Sequence, residues 1–165
     1  MSLVSVVRGL SAKDARGLGV SLGLTAAVAA VGSAASVSTR EDYQELSRPS
    51  WSPPGWVFGP AWTALYAMMG TAAWRVWRGG PEGRKEPLAW YGVQLALNAL
   101  WSPLFFGARK RGAALADIGA LWLAINRTGM LFWRRDRTAG ALLVPYLAWV
   151  SFASALNFDI WRRNR

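Results

Sequence analysis

Long uncharged runs separated by short basic clusters set the pattern of this chain. Between Arg48 and Arg75 there is no charged residue, and at about 1.5 Å per helical residue that run exceeds a hydrocarbon core of roughly 30 Å. Comparable runs extend from Gly17 to Thr39, from Pro87 to Ala108 and from Thr138 to Phe158, and a fifth, from Gly112 to Trp133, is broken only by Asp117 and Arg127. The pattern predicts an all-α integral membrane protein, one domain over residues 1–165 folded as a bundle of five transmembrane helices at about 17–39, 55–77, 87–108, 112–133 and 138–158. The three-residue basic link Arg109, Lys110, Arg111 makes the third and fourth helices antiparallel neighbours, and Arg134, Arg135 and Arg137 turn the chain into the fifth. Five spans put the termini on opposite sides. The basic residues divide too evenly between the sides to set an orientation.

Each run has a face. In the first, Gly19 and Gly23, continued by Ala26, Ala30 and Ala34, form a small-residue stripe that lets helix backbones approach. Together with Arg8, Lys13 and Arg16 upstream, the same run has the outline of a signal peptide with a small-residue exit near Ser33 to Ala35, but its full span length favours a first membrane helix. The loop over 40–55 holds the clustered acids Glu41, Asp42 and Glu45, then Pro49, Pro53 and Pro54, which stiffen the approach to a second helix starting near Gly55 or Trp56. A loop of this length is often a functional lid.

Trp51 and Trp56 at that approach suit either an interfacial aromatic belt or a ligand. Trp62 lies deeper, on one helical face with Tyr66, Met69 and Ala73, and points to the bundle interior or a ligand. Gln94 and Asn98 share a face with Trp101 and Phe105. An unpaired amide in hydrocarbon costs several kcal/mol, so these two form interhelical hydrogen bonds or, for Asn98, meet a ligand. Pro145, Trp149, Ala153 and Leu156 are expected on the inner face of the fifth helix. Arg127 is long enough to snorkel outward, whereas the shorter Asp117 needs a partner inside the bundle, in a structural or a proton-relay role.

Composition then narrows the chemistry. The 165 residues are 53% hydrophobic, with 19 Lys+Arg against 9 Asp+Glu and a net charge of +10. In a soluble protein that balance points to nucleic acid, but here the cations sit at the ends of apolar runs, where they anchor helices among lipid phosphates. Neither Cys nor His occurs, which removes thiol nucleophiles, imidazole base chemistry and Cys/His metal ligation. The scattered carboxylates offer no metal site and no cofactor is implied. Eleven tryptophans are the strongest anomaly.

The motifs RPSWSPPGWVFGPAW, LALNALWSPLFFGARK and VPYLAWVSFASALNF resemble the tryptophan-rich sensory protein/translocator protein family, also called the peripheral benzodiazepine receptor family. The resemblance runs from about Tyr43 to Asn164 and is weak over the first helix. It implies a pocket beneath the first loop for tetrapyrroles such as protoporphyrin, for isoquinoline carboxamides and benzodiazepines, and in animals for cholesterol. The family's pocket positions fall on Tyr43, Trp51, Pro53, Trp62, Tyr66, Asn98, Trp101, Trp149 and Ala153. It further implies a homodimer, in a bacterial envelope membrane or a mitochondrial outer membrane, with a receptor or transport role. The other implied activity is light-dependent porphyrin breakdown, in which Trp62 and Trp149 match the tryptophans implicated in bacterial members. Phe158 stands where the animal sterol motif has Tyr, Ser50 replaces one of a bacterial tryptophan pair, and Ala113 stands where animal members carry a pocket Trp. Those departures weaken the expectation of sterol binding.

Overall fold

The structure, a computed structural model, describes residues 11–37, 46–108 and 110–164. Arg8, Tyr43 and the acids Glu41, Asp42 and Glu45 lie outside the described residues, as does Arg109. Among the described residues the fold is all-helical. Its five long helices are α1 (Ala12–Val37), α2 (Phe58–Arg78), α3 (Lys85–Ser102), α4 (Arg111–Arg135) and α5 (Arg137–Arg163). A 3₁₀ turn at Gly55–Val57 leads into α2, and a π turn at Pro103–Gly107 closes α3.

Local chemistry accounts for the interruptions. Pro54 holds extended backbone (φ −63°, ψ 145°), so the helix starts after the proline run, three residues later than Gly55. Pro103 lacks an N–H and its ring crowds the carbonyl four residues back; the last turn of α3 widens, with Ala108 N–H reaching the Pro103 carbonyl at 2.8 Å. In α5, Pro145 also interrupts the helix, here with a tightened turn before it. The helix divides at Leu143 into Arg137–Leu142 and Val144–Arg163, and Leu143 N–H closes a tight turn on the Gly140 carbonyl at 3.1 Å.

The core runs along the bundle axis. Met69, Phe132 and Tyr146 have no exposed surface, and Val76, Ile125 and Val150 are nearly as enclosed. α4 and α5 cross closely at Gly140, where an added Cβ would lie 2.7 Å from the Trp133 Cα and Cβ. α1 packs on α2 through a stripe one step round from the expected one. Gly19 and Gly23 face open space, and Ala26 and Ala30 are exposed. Instead the Trp77 ring lies over Gly17, Ser21 Oγ donates to the Gly70 carbonyl at 2.7 Å, and Thr25 shares a 2.7 Å hydrogen bond with Tyr91 of α3. The expected stripe marked the small residues correctly but not their face: Ser21 and Thr25 are drawn inward because their hydroxyls find partners there.

Among the described residues one helix, Arg137–Arg163, is long and apolar enough by itself to cross a membrane. Asp117, Asn126 and Arg127 dilute α4, while α2 and α3 spend positions on Gly, Thr, Trp, Tyr and amides. Such residues lower the average hydropathy of these helices, and Tyr66, Asn98 and Arg127 among them make hydrogen bonds between helices.

Candidate aromatic site

The approach segment sets the roof. Ser47 and Asn164 exchange two hydrogen bonds, Ser47 N–H to Asn164 Oδ1 at 3.1 Å and Asn164 Nδ2 to the Ser47 carbonyl at 3.0 Å. They hold the start of the segment on the end of α5. Pro49 is buried, and Trp51, about half exposed, meets the Phe152 ring edge-on at 5.7 Å. Trp56 is three-quarters exposed, as an indole at a polar–apolar boundary would be.

Beneath that roof the rings of α2 and α5 interlock. Trp62 stacks on Tyr66 (5.2 Å between centroids, planes 26° apart) and meets Trp149 edge to face (6.3 Å, 81°). Tyr146 also meets Trp62 edge-on at 6.2 Å, and Phe58 meets Trp149 in the same way at 5.8 Å. Phe152 extends the cluster from Trp149 at 5.7 Å. Offset and edge-to-face pairs at these separations are the arrangements that ring quadrupoles favour.

α3 supplies the polar element. Tyr66 donates its hydroxyl to Asn98 Oδ1 at 2.7 Å, and Asn98 Nδ2 donates to the Tyr146 hydroxyl at 3.1 Å. One amide therefore joins α2, α3 and α5. Asn98 is 6% exposed, and its interhelical bonding is of the kind the sequence predicted. The neighbouring Gln94 behaves differently. It is 1% exposed, yet neither its oxygen nor its nitrogen has a hydrogen-bond partner among the described residues. Asp117 Oδ2 and both amide atoms of Asn157 are in the same position, so the interior partner expected for Asp117 is not found for that oxygen. Arg127 reaches outward to Glu86 at 2.6 Å.

Of the predicted positions, Trp51, Trp62, Tyr66, Asn98 and Trp149 join one continuous set of ring contacts and hydrogen bonds. Trp101 stands beside it, half-buried and stacked on Phe105 at 4.9 Å, and Ala153 is half-buried against the core. Pro53 sits half-buried in the roof segment. Tyr43 lies outside the described residues. The expected inner face of α5 needs correction: Pro145 is exposed, and Tyr146 takes the inward position because Trp149, Val150 and Ala153 all lie at helical spacing from it. Tyr146, Phe58 and Phe152 escaped the sequence reading. For Tyr146 a signal existed, since a phenol inside an uncharged run needs a hydrogen-bond partner and Asn98 was available.

No three Asp or Glu side chains among the described residues are grouped to hold a metal. What the cluster offers is flat apolar wall from indoles and phenols, with phenol and amide groups at its centre. An all-helical bundle with such an interior is of the receptor- or transporter-like membrane type.

Comparison with known proteins agrees. Residues 21–162 match the TspO/MBR family. The chain is 46% identical over 124 residues to the tryptophan-rich sensory protein of Cereibacter sphaeroides, covering 75% of this chain and 77% of that one. It is 44% identical over 125 residues to the human translocator protein, with 74% of each chain covered. With the tryptophan-rich protein TspO of Chlorobaculum tepidum it shares 45% identity over 141 residues, 82% of this chain and 89% of the other. The chain belongs to the TspO/MBR family.

Proposed function

We propose that this is a multi-pass membrane protein whose five helices all cross the bilayer, and that it binds a planar tetrapyrrole of the protoporphyrin kind in a receptor or transport role. The observation that carries the reading is the convergence of Trp62, Tyr66, Asn98, Tyr146 and Trp149 from three helices under a proline-stiffened roof. A macrocycle is flat and largely apolar, so it is recognised by ring faces, while its polar edge calls for a small number of placed donors and acceptors. The rings of Trp62 and Trp149 meet edge to face in this structure, and a ligand would enter by parting them beneath Trp51 and Pro53. A homodimer is part of this reading. Sterol is the weaker ligand class: Phe158 is about half exposed beside Trp161 and has no hydroxyl to offer.

Titrating the detergent-solubilised protein with protoporphyrin and following tryptophan fluorescence tests the proposal. Saturable quenching that weakens when Trp62 and Trp149 are both replaced by Phe supports it. Quenching unchanged in that double variant places the ligand elsewhere.

A further inference from the structure

At the far end of the bundle from the aromatic site, a cavity of about 590 Å³ opens between α1, α2 and α3. Trp77, on its wall, is fifteen residues along α2 from Trp62, roughly 22 Å away, so the two sites are separate. Its long walls are apolar: Val20 and Leu24 of α1, Trp77 of α2, and Leu88 and Leu95 of α3. Its mouth is not. Lys13 and Arg16 border one end, both exposed, and neither has an ion pair among the described residues.

The residues around that mouth fix its level in a membrane. Trp74 donates its indole N–H to the Asp14 carbonyl at 3.0 Å, and Arg78 and Arg84 lie over the Trp74 and Trp77 rings at 4.7 and 5.6 Å. Indoles interleaved with arginines mark the headgroup layer. Helical spacing puts Lys13, Arg16, Gly17 and Val20 on one face of α1. The carboxylate of Asp14 is taken up by the Ser11 hydroxyl at 2.8 Å. From Gly17 to Leu24 the groove runs about 10 Å toward the hydrocarbon.

We propose that this groove holds one anionic phospholipid, its phosphate on Lys13 and Arg16 and one acyl chain along Val20, Leu24, Leu88 and Leu95. Two unpaired cations above an apolar channel complement a negative headgroup with a single chain below it, whereas a zwitterionic lipid brings a positive group against them. Gly92 contributes to the fit. It borders the cavity, and a Cβ there would meet nothing within 4 Å, so the space in front of it is open to a chain. The inference rests on the membrane-spanning reading but not on the aromatic site.

The test uses the full chain, first washed in membranes with alkali to show that it stays integral, then equilibrated with phosphatidylglycerol or phosphatidylcholine and examined by native mass spectrometry. The expected result is one retained phosphatidylglycerol per chain, favoured over phosphatidylcholine roughly tenfold or more, in line with two cations at an anionic headgroup. Replacing Lys13 and Arg16 together by Gln should abolish that preference. Gly92→Leu keeps the charges but fills the groove, and should lose the retained lipid of either class. Circular dichroism melts and porphyrin quenching on the same samples show that each variant is folded and that the aromatic site is intact. Equal retention of the two lipids by the unaltered chain, a preference that survives either variant, or a second copy of the chain covering the groove in cross-linked dimers would overturn the proposal. Release of the chain by alkali would instead overturn the membrane reading beneath it.

Discussion

Asn98 donates from Nδ2 to the Tyr146 hydroxyl at 3.1 Å inside the bundle, and this one bond ties α3 to α5 at a point where both side chains are shut off from solvent. The amide's other end accepts from Tyr66 at 2.7 Å. The site is thus held in shape by a side chain that offers no ring of its own.

Replacing Asn98 by Leu keeps the bulk and removes both bonds. Tyr66 is left without an acceptor and Tyr146 without its donor, and leaving buried polar groups unsatisfied costs about 1–3 kcal/mol. The expected outcome is a lower thermal midpoint together with weaker porphyrin quenching, because the two phenols set the position of the Trp62 ring. A variant that is less stable but binds porphyrin as before would confine Asn98 to helix packing.

Glycine substitutions should separate the packed face of the bundle from the open one. Gly140→Ala forces a Cβ to within 2.7 Å of the Trp133 Cα and Cβ and should destabilise by about 1–3 kcal/mol, the range for overpacking. Gly23→Ala meets nothing within 4 Å and should be neutral or gain roughly 0.5–1 kcal/mol from helix propensity. Thermal unfolding of both variants in the same detergent compares them directly. A large loss at Gly23 would mean that another surface covers that stripe.

Asp136 gives the turn between α4 and α5 a pH dependence. Partial burial raises its carboxyl, but the Ala139 N–H, Arg75 at 2.9 Å and the Thr138 N–H outweigh that and hold it below the usual carboxylate range. A depressed native value means stability that is fully present above the unfolded carboxylate value near 3.9 and lost as pH falls through the native one. Asp136→Asn keeps the helix cap and removes the charge. With both partners partly exposed, the pair contributes about 0–1 kcal/mol. The variant should melt slightly lower at pH 7, and the difference should vanish as pH drops well below 4. A difference that persists in acid would show that the charge is not its source.

The number of helices and their order were legible because uncharged length alone carries them: basic clusters at 75–78, 109–111 and 134–137 punctuate the chain whatever the helices pack against. Trp62, Tyr66 and Asn98 were legible for a different reason, since an indole, a phenol and an amide inside long uncharged runs call for protein around them. Which way a helix is turned was less legible. Pro145 and Tyr146 are neighbours in an apolar run, and only the contacts with Trp62 and Asn98 decide which one points inward. The same holds for Gly19 against Ser21 in α1. On the membrane-spanning reading proposed above, the lipid-facing and protein-facing sides of a helix are both apolar, so the periodicity that separates them in a soluble protein is faint.

The most direct test of the central claim uses protoporphyrin and single substitutions at positions 62 and 149. Phe preserves an aromatic face for stacking, but lacks the oxidisable indole that radical or photo-oxidative breakdown needs. Porphyrin affinity and illuminated products are measured together, by fluorescence titration and mass spectrometry, for the unaltered chain, Trp62→Phe and Trp149→Phe. A binding protein keeps most of its affinity in each single variant, and all three samples bleach as slowly as free porphyrin without a distinct product. A stoichiometric tetrapyrrole product that forms only with the unaltered chain, and disappears in either variant while affinity survives, would contradict the account.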